Sequence, residues 1–413
     1  MDGRFYLIGH PLGHSFSPSL HRLFGNDRYS LKDLEEDEVG PFLESREFDG
    51  LNVTIPYKRK VIPYLSELSP RAEAIGAVNT VRKRPDGSLY GDNTDAAGFL
   101  ALADRAGVSF AGRHVVVLGS GGASRTAVWA AKSRGAASVT VVSRSGPVDY
   151  DALYSLTDTE VLVNATPVGM FPSGDAMPAD PARFPALKGV LDLVYNPLRT
   201  LFVQAARSLG VPAAGGLYML AAQGSAANAV FTCREEDAGT LERVFADLTR
   251  QKENLVLCGM PGSGKSTIGK KLAEKLSMPY IDTDEKIAEK ARMPIPEIFS
   301  KHGEPAFRDL ESAVIREAAL SCGQVISTGG GAVLREENRL RMRMNGRVFL
   351  IRRPLDALAT FGRPLSRDAA SLRAMEKERA PLYALAADRA VDNLTSPDDA
   401  VRAILEDLKC VSL

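Results

Sequence analysis

Gly259 to Ser266 spell G-x-x-x-x-G-K-S, a loop whose backbone N–H groups converge on phosphate oxygens. In such a loop Lys265 reaches the terminal phosphates and the Ser266 hydroxyl is a magnesium ligand, with Gly262, Gly264 and Thr267 completing the nucleotide-binding set. The loop says nucleotide and leaves the reaction open. Further along, Asp282 and Asp284 stand two apart at the end of an apolar segment, Tyr280-Ile281-Asp282-Thr283-Asp284. There Asp282 is placed to hold magnesium through water, and Asp284 to face a substrate hydroxyl. Arg308 and Glu311 share a helix face by their spacing of three. Gly329-Gly330-Gly331 permits close approach of backbone to a small ligand, and Arg363 and Arg379 are further cations. Together these residues have the types that phosphoryl transfer uses, namely cations, a metal site and a carboxylate.

The first half of the chain carries a different set. Gly119-x-Gly121-x-x-Ser124, with Gly122 and Ala123 in its turn, is a near match to the dinucleotide-binding fingerprint. The next apolar run, 139–142, ends at Ser143-Arg144-Ser145, where an NAD site wants an acid. A guanidinium there suits a 2′-phosphate, so NADP(H) is expected. Upstream, Ser15 and Ser17 lie on alternate positions, and an extended backbone points both the same way. Asn52, Thr54 and Lys58 offer an amide, a hydroxyl and an amine on alternating positions. Then come Gly76-Ala77-Val78-Asn79-Thr80 and Gly91-Asp92-Asn93-Thr94-Asp95. Many short polar donors beside apolar strands suit a small, hydroxyl-rich, anionic ligand.

The elements that hold these residues read as α/β, because short apolar runs alternate with amphipathic stretches almost throughout. Residues 115–118 and 255–258 each read as a buried parallel strand running into a glycine-rich turn and then a helix. Two nucleotide sites of different design imply two enzymes in 413 residues. Leu241, Val244, Phe245 and Leu248 recur at helical spacing, which predicts a helix ending near Thr249 and a polar linker over 250–254. Five residues reach at most about 17 Å, so the halves are expected side by side. Ser396 with Pro397 reads as the cap and first position of a closing helix.

Composition excludes several classes. Lys plus Arg number 51 and Asp plus Glu number 51, a balance that argues against a sequence-independent nucleic-acid binder. No apolar stretch reaches the roughly 18 residues of a membrane span, and the short run Phe5 to Ile8 is no signal peptide. Four cysteines (Cys233, Cys258, Cys322, Cys410) stand far apart and suggest a reducing compartment. The expectation is a cytoplasmic enzyme with small-molecule substrates and neither nucleic acid nor membrane as partner. The sequence sets no oligomeric state.

Over 254–413, the phosphate loop, D-T-D, F-R-x-x-E, G-G-G-A-V, R-P-L and R-A-P-L-Y, in that order, resemble shikimate kinase. The resemblance implies ATP and magnesium as cofactors, with Asp284, Arg308, Gly330, Gly331 and Arg379 binding shikimate and Asp284 taking or orienting the 3-hydroxyl proton. Arg363 would belong to a lid over the phosphates. That lid is shorter than is usual in the family, which predicts altered adenine packing, with Phe361 as a candidate. Over nearly all of 1–248, the segments above resemble shikimate dehydrogenase. The match continues through Asn164-Ala165-Thr166-Pro167, Asp192-Leu193-Val194-Tyr195-Asn196-Pro197 and Gly215-Gly216-Leu217-x-Met219-Leu220-x-x-Gln223. By that resemblance Ser15, Ser17, Thr54, Asn79, Tyr195 and Gln223 bind substrate, the serines at its carboxylate, and Lys58 with Asp95 forms the catalytic pair. His14 would be a structural residue of the loop. The lysine that normally follows the second dinucleotide-site strand is missing here, so NADP preference is expected to be less strict, and the usual W-T-G after Gln223 is absent.

The sequence thus reads as a two-lobed dehydrogenase followed by a P-loop kinase domain with a parallel sheet. The expected divisions are a substrate lobe over 1–97, a Rossmann-like NADP lobe over 98–218, returning helices over 219–250 and a kinase domain over 251–413. The implied function is reduction of 3-dehydroshikimate by NADPH, then phosphorylation of shikimate by ATP. One rival is an NAD-dependent quinate/shikimate dehydrogenase fused to the kinase. Ser17 and the absence of an acid at Arg144 argue against it. Another is an inactive metabolite-sensing regulator, which should have lost Lys58, Asp95, Lys265 or Asp284; all are present.

Overall fold

Three sheets carry both sets of residues. The computed structural model describes residues 3–13, 15–235, 237–358 and 369–409. His14, Phe361 and Arg363 lie outside the described residues. The chain divides into two units, Met1–Asn196 with Thr200–Leu248, and Pro197–Arg199 with Thr249–Leu413.

The first unit begins with a mixed sheet of β1 (Phe5–Gly9), β2 (Tyr29–Asp33), β3 (Gly50–Val53), β4 (Glu67–Leu68), β5 (Thr80–Lys83) and β6 (Leu89–Asp92). Their order is β2-β1-β3-β5-β6-β4. The register places Asn52 opposite Thr80 and Thr80 opposite Asp92, so polar residues distant in sequence line up across three strands. A second sheet is parallel throughout: β7 (His114–Leu118), β8 (Ser138–Val142), β9 (Val161–Asn164), β10 (Gly189–Asp192) and β11 (Ala213–Ala214). Its order, β11-β10-β9-β7-β8, puts β8 on one side of β7 and β9 on the other. The crevice at the carboxyl end of such a reversal is where dinucleotides bind in α/β sheets.

The helices Thr94–Ala106 and Leu217–Thr232 pack closely, because Gly98 leaves room for the Met219 carbonyl, which would lie 2.6 Å from a Cβ there. The expected divisions at 97/98 and 218/219 fall inside these two helices. Two local expectations are corrected. Ser17 does not continue an extended strand; it opens the helix Ser17–Leu23, with Phe16 in the right-handed helical region and proline in the first turn. The helix predicted to stop near Thr249 runs on as Ala238–Lys252. Arg250 and Lys252 occupy its last turn, where cations complement the helix dipole. Strand β12 (Asn254–Cys258) starts two residues later, so the linker expected over 250–254 reduces to Glu253.

The second unit is an all-parallel sheet of β12, β13 (Tyr280–Asp282), β14 (Val325–Ser327), β15 (Gly346–Arg352) and β16 (Arg389–Asp392), in the order β13-β14-β12-β15-β16. Every residue of β12 is buried, which is why its sequence is continuously apolar after Asn254 and shows no alternation. The closing helix Pro397–Asp407 starts as expected, with the Ser396 hydroxyl accepting the Asp399 N–H at 3.3 Å. Among the described residues no helix is long and apolar enough to cross a membrane.

Candidate active sites

In the first unit a cleft of about 580 Å³ is lined by Ser15, Ser17, Thr54, Lys58, Asn79, Asp95, Ala123, Tyr195 and Gln223, together with Met170 and Met219. At its centre the Lys58 ammonium donates to Asp95 Oδ2 at 2.6 Å. Asp95 lies in the first turn of the helix Thr94–Ala106, whose positive end favours a carboxylate. Its other oxygen accepts from Asn79 Nδ2 at 2.9 Å, and Asn79 Oδ1 accepts the Thr94 N–H at 2.6 Å. The Asp95 carboxylate is therefore held on both oxygens before any ligand arrives. Ser15 and Ser17 hydroxyls sit 3.2 Å apart although the Phe16 between them is helical and not extended.

Asn52, which also lines the cleft, joins it to a buried polar network with His21 and Tyr29 that sequence reasoning missed. Asn52 Nδ2 donates to the Asn79 carbonyl at 3.2 Å and to Thr80 Oγ1 at 3.1 Å. Its Oδ1 accepts from the Tyr29 hydroxyl at 2.8 Å and lies 3.0 Å from His21 Nε2. Since that oxygen can only accept, Nε2 carries the proton. His21 stacks on Tyr29 with ring centroids 3.9 Å apart, and burial lowers its pKa to about 4, so the imidazole is neutral. A second knot holds the loop bearing Tyr195. Asp192 accepts from Thr200 Oγ1 at 2.6 Å, Asn164 Nδ2 at 2.9 Å and the Val194 N–H at 3.0 Å. Burial pushes the Asp192 carboxyl up to about 6.

The dinucleotide end is built on the turn after β7. Gly119 has φ +105 and packs against Ala165 and Thr166, where a side chain would collide. Gly121 caps the helix Gly122–Ser133, and a Cβ on Gly121 or Gly122 would meet nothing within 4 Å. Backbone N–H groups at such an open helix start are of the kind that bind anionic phosphate groups. At the adjacent end of β8, Arg144 and Ser145 are exposed, whereas Ser143 and its hydroxyl are buried.

In the second unit a cleft of about 320 Å³ is lined by Gly262, Lys265, Ser266, Asp282, Asp284, Arg308, Gly330, Gly331 and Arg379, with Phe299, Phe307 and Met375 as apolar walls. Gly262 and Gly264 both have positive φ, a conformation glycine takes without strain. Thr267 follows in the helix Lys265–Leu276. Lys265 Nζ donates to the Gly259 and Met260 carbonyls at 2.9 Å each, partners that phosphate oxygens can replace. The Ser266 hydroxyl donates to Asp282 Oδ2 at 2.9 Å, which brings together two oxygen groups of the kind magnesium takes.

Arg308 donates to Glu311 at 2.8 Å and to Glu304 at 2.9 Å. Burial opposes its charge, but the two carboxylates outweigh that and hold its pKa above the ordinary value. Glu311 is itself raised by burial, with Arg308 pulling the other way. Its second oxygen, and Nε of Arg379, are buried without a hydrogen-bond partner among the described residues, leaving capacity for a ligand. Gly329 and Gly331 are bare for a reason, since a Cβ would lie 2.6 Å from Asp284 Oδ1 in the first case and collide with the Arg308 guanidinium in the second. Tyr383 fastens this segment by donating to the Gly330 carbonyl at 2.6 Å. Sequence spacing found Arg308 with Glu311 but not Glu304, although Glu304 is also one helical turn from Arg308.

Comparison with known proteins bears on both units. Residues 7–81 match the family model described as shikimate dehydrogenase substrate binding domain, and residues 261–409 match that described as shikimate kinase. A shikimate dehydrogenase (NADP(+)) of Clostridium perfringens is 35% identical over 265 residues, covering 59% of this chain and 97% of that protein. One from Moorella thermoacetica is 34% identical over 275 residues, covering 59% and 93%. Among solved structures, a chorismate mutase/shikimate 5-dehydrogenase fusion protein from Clostridium acetobutylicum is similar with TM-score 0.57 and 35% identity, covering 60% of this chain and 97% of that one. The shikimate 5-dehydrogenase of Thermus thermophilus in complex with NADP(H) and shikimate is similar with TM-score 0.53 and 34% identity, covering 59% and 98%.

Proposed function

The chain belongs to the shikimate dehydrogenase family and carries a shikimate kinase domain behind it, and from that premise we infer two consecutive reactions of one pathway. The first unit reduces 3-dehydroshikimate to shikimate with NADPH; the second phosphorylates shikimate with ATP. The observation that carries this reading is the meeting of Lys58 with Asp95 in one cleft and of Lys265, Asp284, Arg308 and Arg379 in another. The NAD-dependent quinate alternative is not favoured, the curated relatives being NADP enzymes.

When bound, NADPH supplies the hydride, ATP the γ-phosphoryl group, and magnesium charge that neutralises the phosphates. Lys58 holds its proton at the carbonyl oxygen that gains charge, and Asp95 fixes the ammonium and relays the proton. Ser15 and Ser17 receive the carboxylate, while Thr54, Asn79, Tyr195 and Gln223 orient the ring hydroxyls. Gly119, Gly121, Gly122 and Ala123 take the diphosphate of the dinucleotide, and Ser143, Arg144 and Ser145 its 2′-phosphate. In the kinase site Arg308 and Arg379 grip the shikimate carboxylate between them, with Gly330 and Gly331 giving the ring room. Asp284 orients the attacking 3-hydroxyl and draws its proton, as phosphoryl transfer demands positioning above all. Gly262, Gly264, Lys265, Ser266 and Thr267 cradle the phosphates, and Ser266 with Asp282 would hold magnesium; the 2.9 Å approach of their oxygens fits that donor set. Arg363 would neutralise the transferring phosphoryl from the lid.

This reading assigns 1–97 to the substrate lobe, 98–218 to the NADP lobe, 219–250 to helices returning to the first lobe, and 251–413 to the kinase. Free thiols at Cys233, Cys258 and Cys322 support a reducing compartment, hence the cytoplasm. The test is one reaction mixture of full-length protein, 3-dehydroshikimate, NADPH, ATP and Mg²⁺. NADPH loss, ADP formation and a phosphorylated product in mass spectrometry are expected. NADPH loss without ADP would leave only the dehydrogenase half of the reading standing.

A further inference from the structure

The kinase reading gives the Tyr280 side chain no role, yet its hydroxyl meets Asp282 of the candidate metal site. Tyr280 and Asp282 are the first and third residues of β13, so their side chains leave the same face of the sheet. The ring fits against the bare backbone of Gly269 on the helix Lys265–Leu276, where a Cβ would lie 2.7 Å from Tyr280 Cε2. Lys270 Nζ lies 5.6 Å from the ring centroid. With the ring fixed there, the phenolic hydroxyl reaches Asp282 Oδ2 at 3.1 Å. The same oxygen accepts the Ser266 hydroxyl at 2.9 Å, while Oδ1 accepts the Asp284 N–H at 3.0 Å. Ser327, directly opposite Asp282 in the register of β14, borders the cluster.

A carboxylate is an acceptor only, so all three contacts donate to it, and three donors leave its plane no freedom to rotate. We propose that Tyr280 is a positioning residue for the divalent cation of the kinase site, acting through Asp282. Its hydroxyl fixes Oδ2 where it accepts the Ser266 hydroxyl, which would leave the Ser266 lone pairs free for the metal. Partners of metal-site carboxylates commonly carry a 10- to 100-fold share of metal affinity. The inference rests on the nucleotide reading of the P-loop, and its test separates the two.

Mn²⁺ is titrated into full-length protein saturated with ADP, and free Mn²⁺ is followed by electron paramagnetic resonance. Tyr280→Phe should weaken Mn²⁺ binding by about tenfold and leave metal-free ADP affinity, measured by calorimetry, near wild type. In the Asp282→Asn background the same change should have little further effect, because the carboxylate it positions is gone. Unchanged Mn²⁺ affinity in Tyr280→Phe overturns the inference while wild-type Mn²⁺·ADP binding upholds the P-loop reading. Equal loss of metal-free ADP affinity overturns it too, since the ring would then merely support the loop. Wild-type protein that binds no Mn²⁺·ADP overturns the kinase-site reading itself, and the inference with it.

Discussion

The two clefts hold their charges in opposite ways. In the dehydrogenase cleft the reactive groups satisfy one another: Lys58 is bonded to Asp95, Asp95 to Asn79, and Asn79 through its backbone to Asn52. In the kinase cleft the cations rest on acceptors that a ligand would displace or share, Lys265 on two loop carbonyls and Arg308 on two glutamates. The chemistry explains the difference. A proton transfer demands a donor fixed within hydrogen-bond reach of one oxygen. A loose phosphoryl-transfer transition state instead demands that positive charge be delivered to oxygens that arrive with the substrate. One site is pre-assembled and the other is pre-charged.

The largest effect that could break this contrast is at Lys58. Lys58→Ala should lower reductase turnover by about 10³, with kinase turnover on added shikimate near wild type. Joint loss of both activities in stopped-time assays would mean the two sites are not independent. Next is Asp284→Asn, which should lower kinase kcat by about 10² while sparing ATP affinity. An equal fall in both would reassign Asp284 to the nucleotide.

A smaller effect sharpens the claim that the first cleft stands on a buried, uncharged scaffold. His21 has its folded pKa lowered to about 4 from 6.5, so the unfolded chain binds the proton first as pH falls. Its contribution to stability is complete above pH 6.5 and is lost toward pH 4. Asp192 is the reverse, raised to about 6 from 3.8, so its contribution is complete below pH 3.8 and is lost as pH rises through 6. Each amounts to about 3 kcal/mol. Urea unfolding followed by Trp129, the single tryptophan and a residue of the first unit, reads both. Relative to wild type, His21→Gln should gain stability on going from pH 7 to 4.5, and Asp192→Asn should lose it. Parallel pH profiles for all three proteins would show that neither group is buried as described.

How much of this could be read from sequence follows the range of the interactions. The P-loop, the strands leading into both glycine turns and the Ser396 cap are local patterns, and the structure has them as expected. Arg308 and Glu311 were legible for the same reason, being one helical turn apart. The local reading failed where the chain changes state: Ser17 opens a helix because proline follows it, and the helix ending near Thr249 continues because its polar residues are good helix formers. The His21, Tyr29 and Asn52 cluster was hidden for another reason. Tyr29 and Asn52 meet because β1 pairs with both β2 and β3, and His21 joins them from the helix Ser17–Leu23, a non-local fact that no single segment encodes. Tyr280 was quoted as part of a strand, but alternation on a short parallel strand does not distinguish a packing ring from one whose hydroxyl has a partner.

The account turns on one metabolite being the product of the first cleft and the substrate of the second. Equilibrium dialysis of full-length protein against labelled shikimate, with ADP and Mg²⁺ present and no dinucleotide, measures this directly. Saturation at two molecules per chain is the predicted result; saturation at one, or no binding, would contradict it.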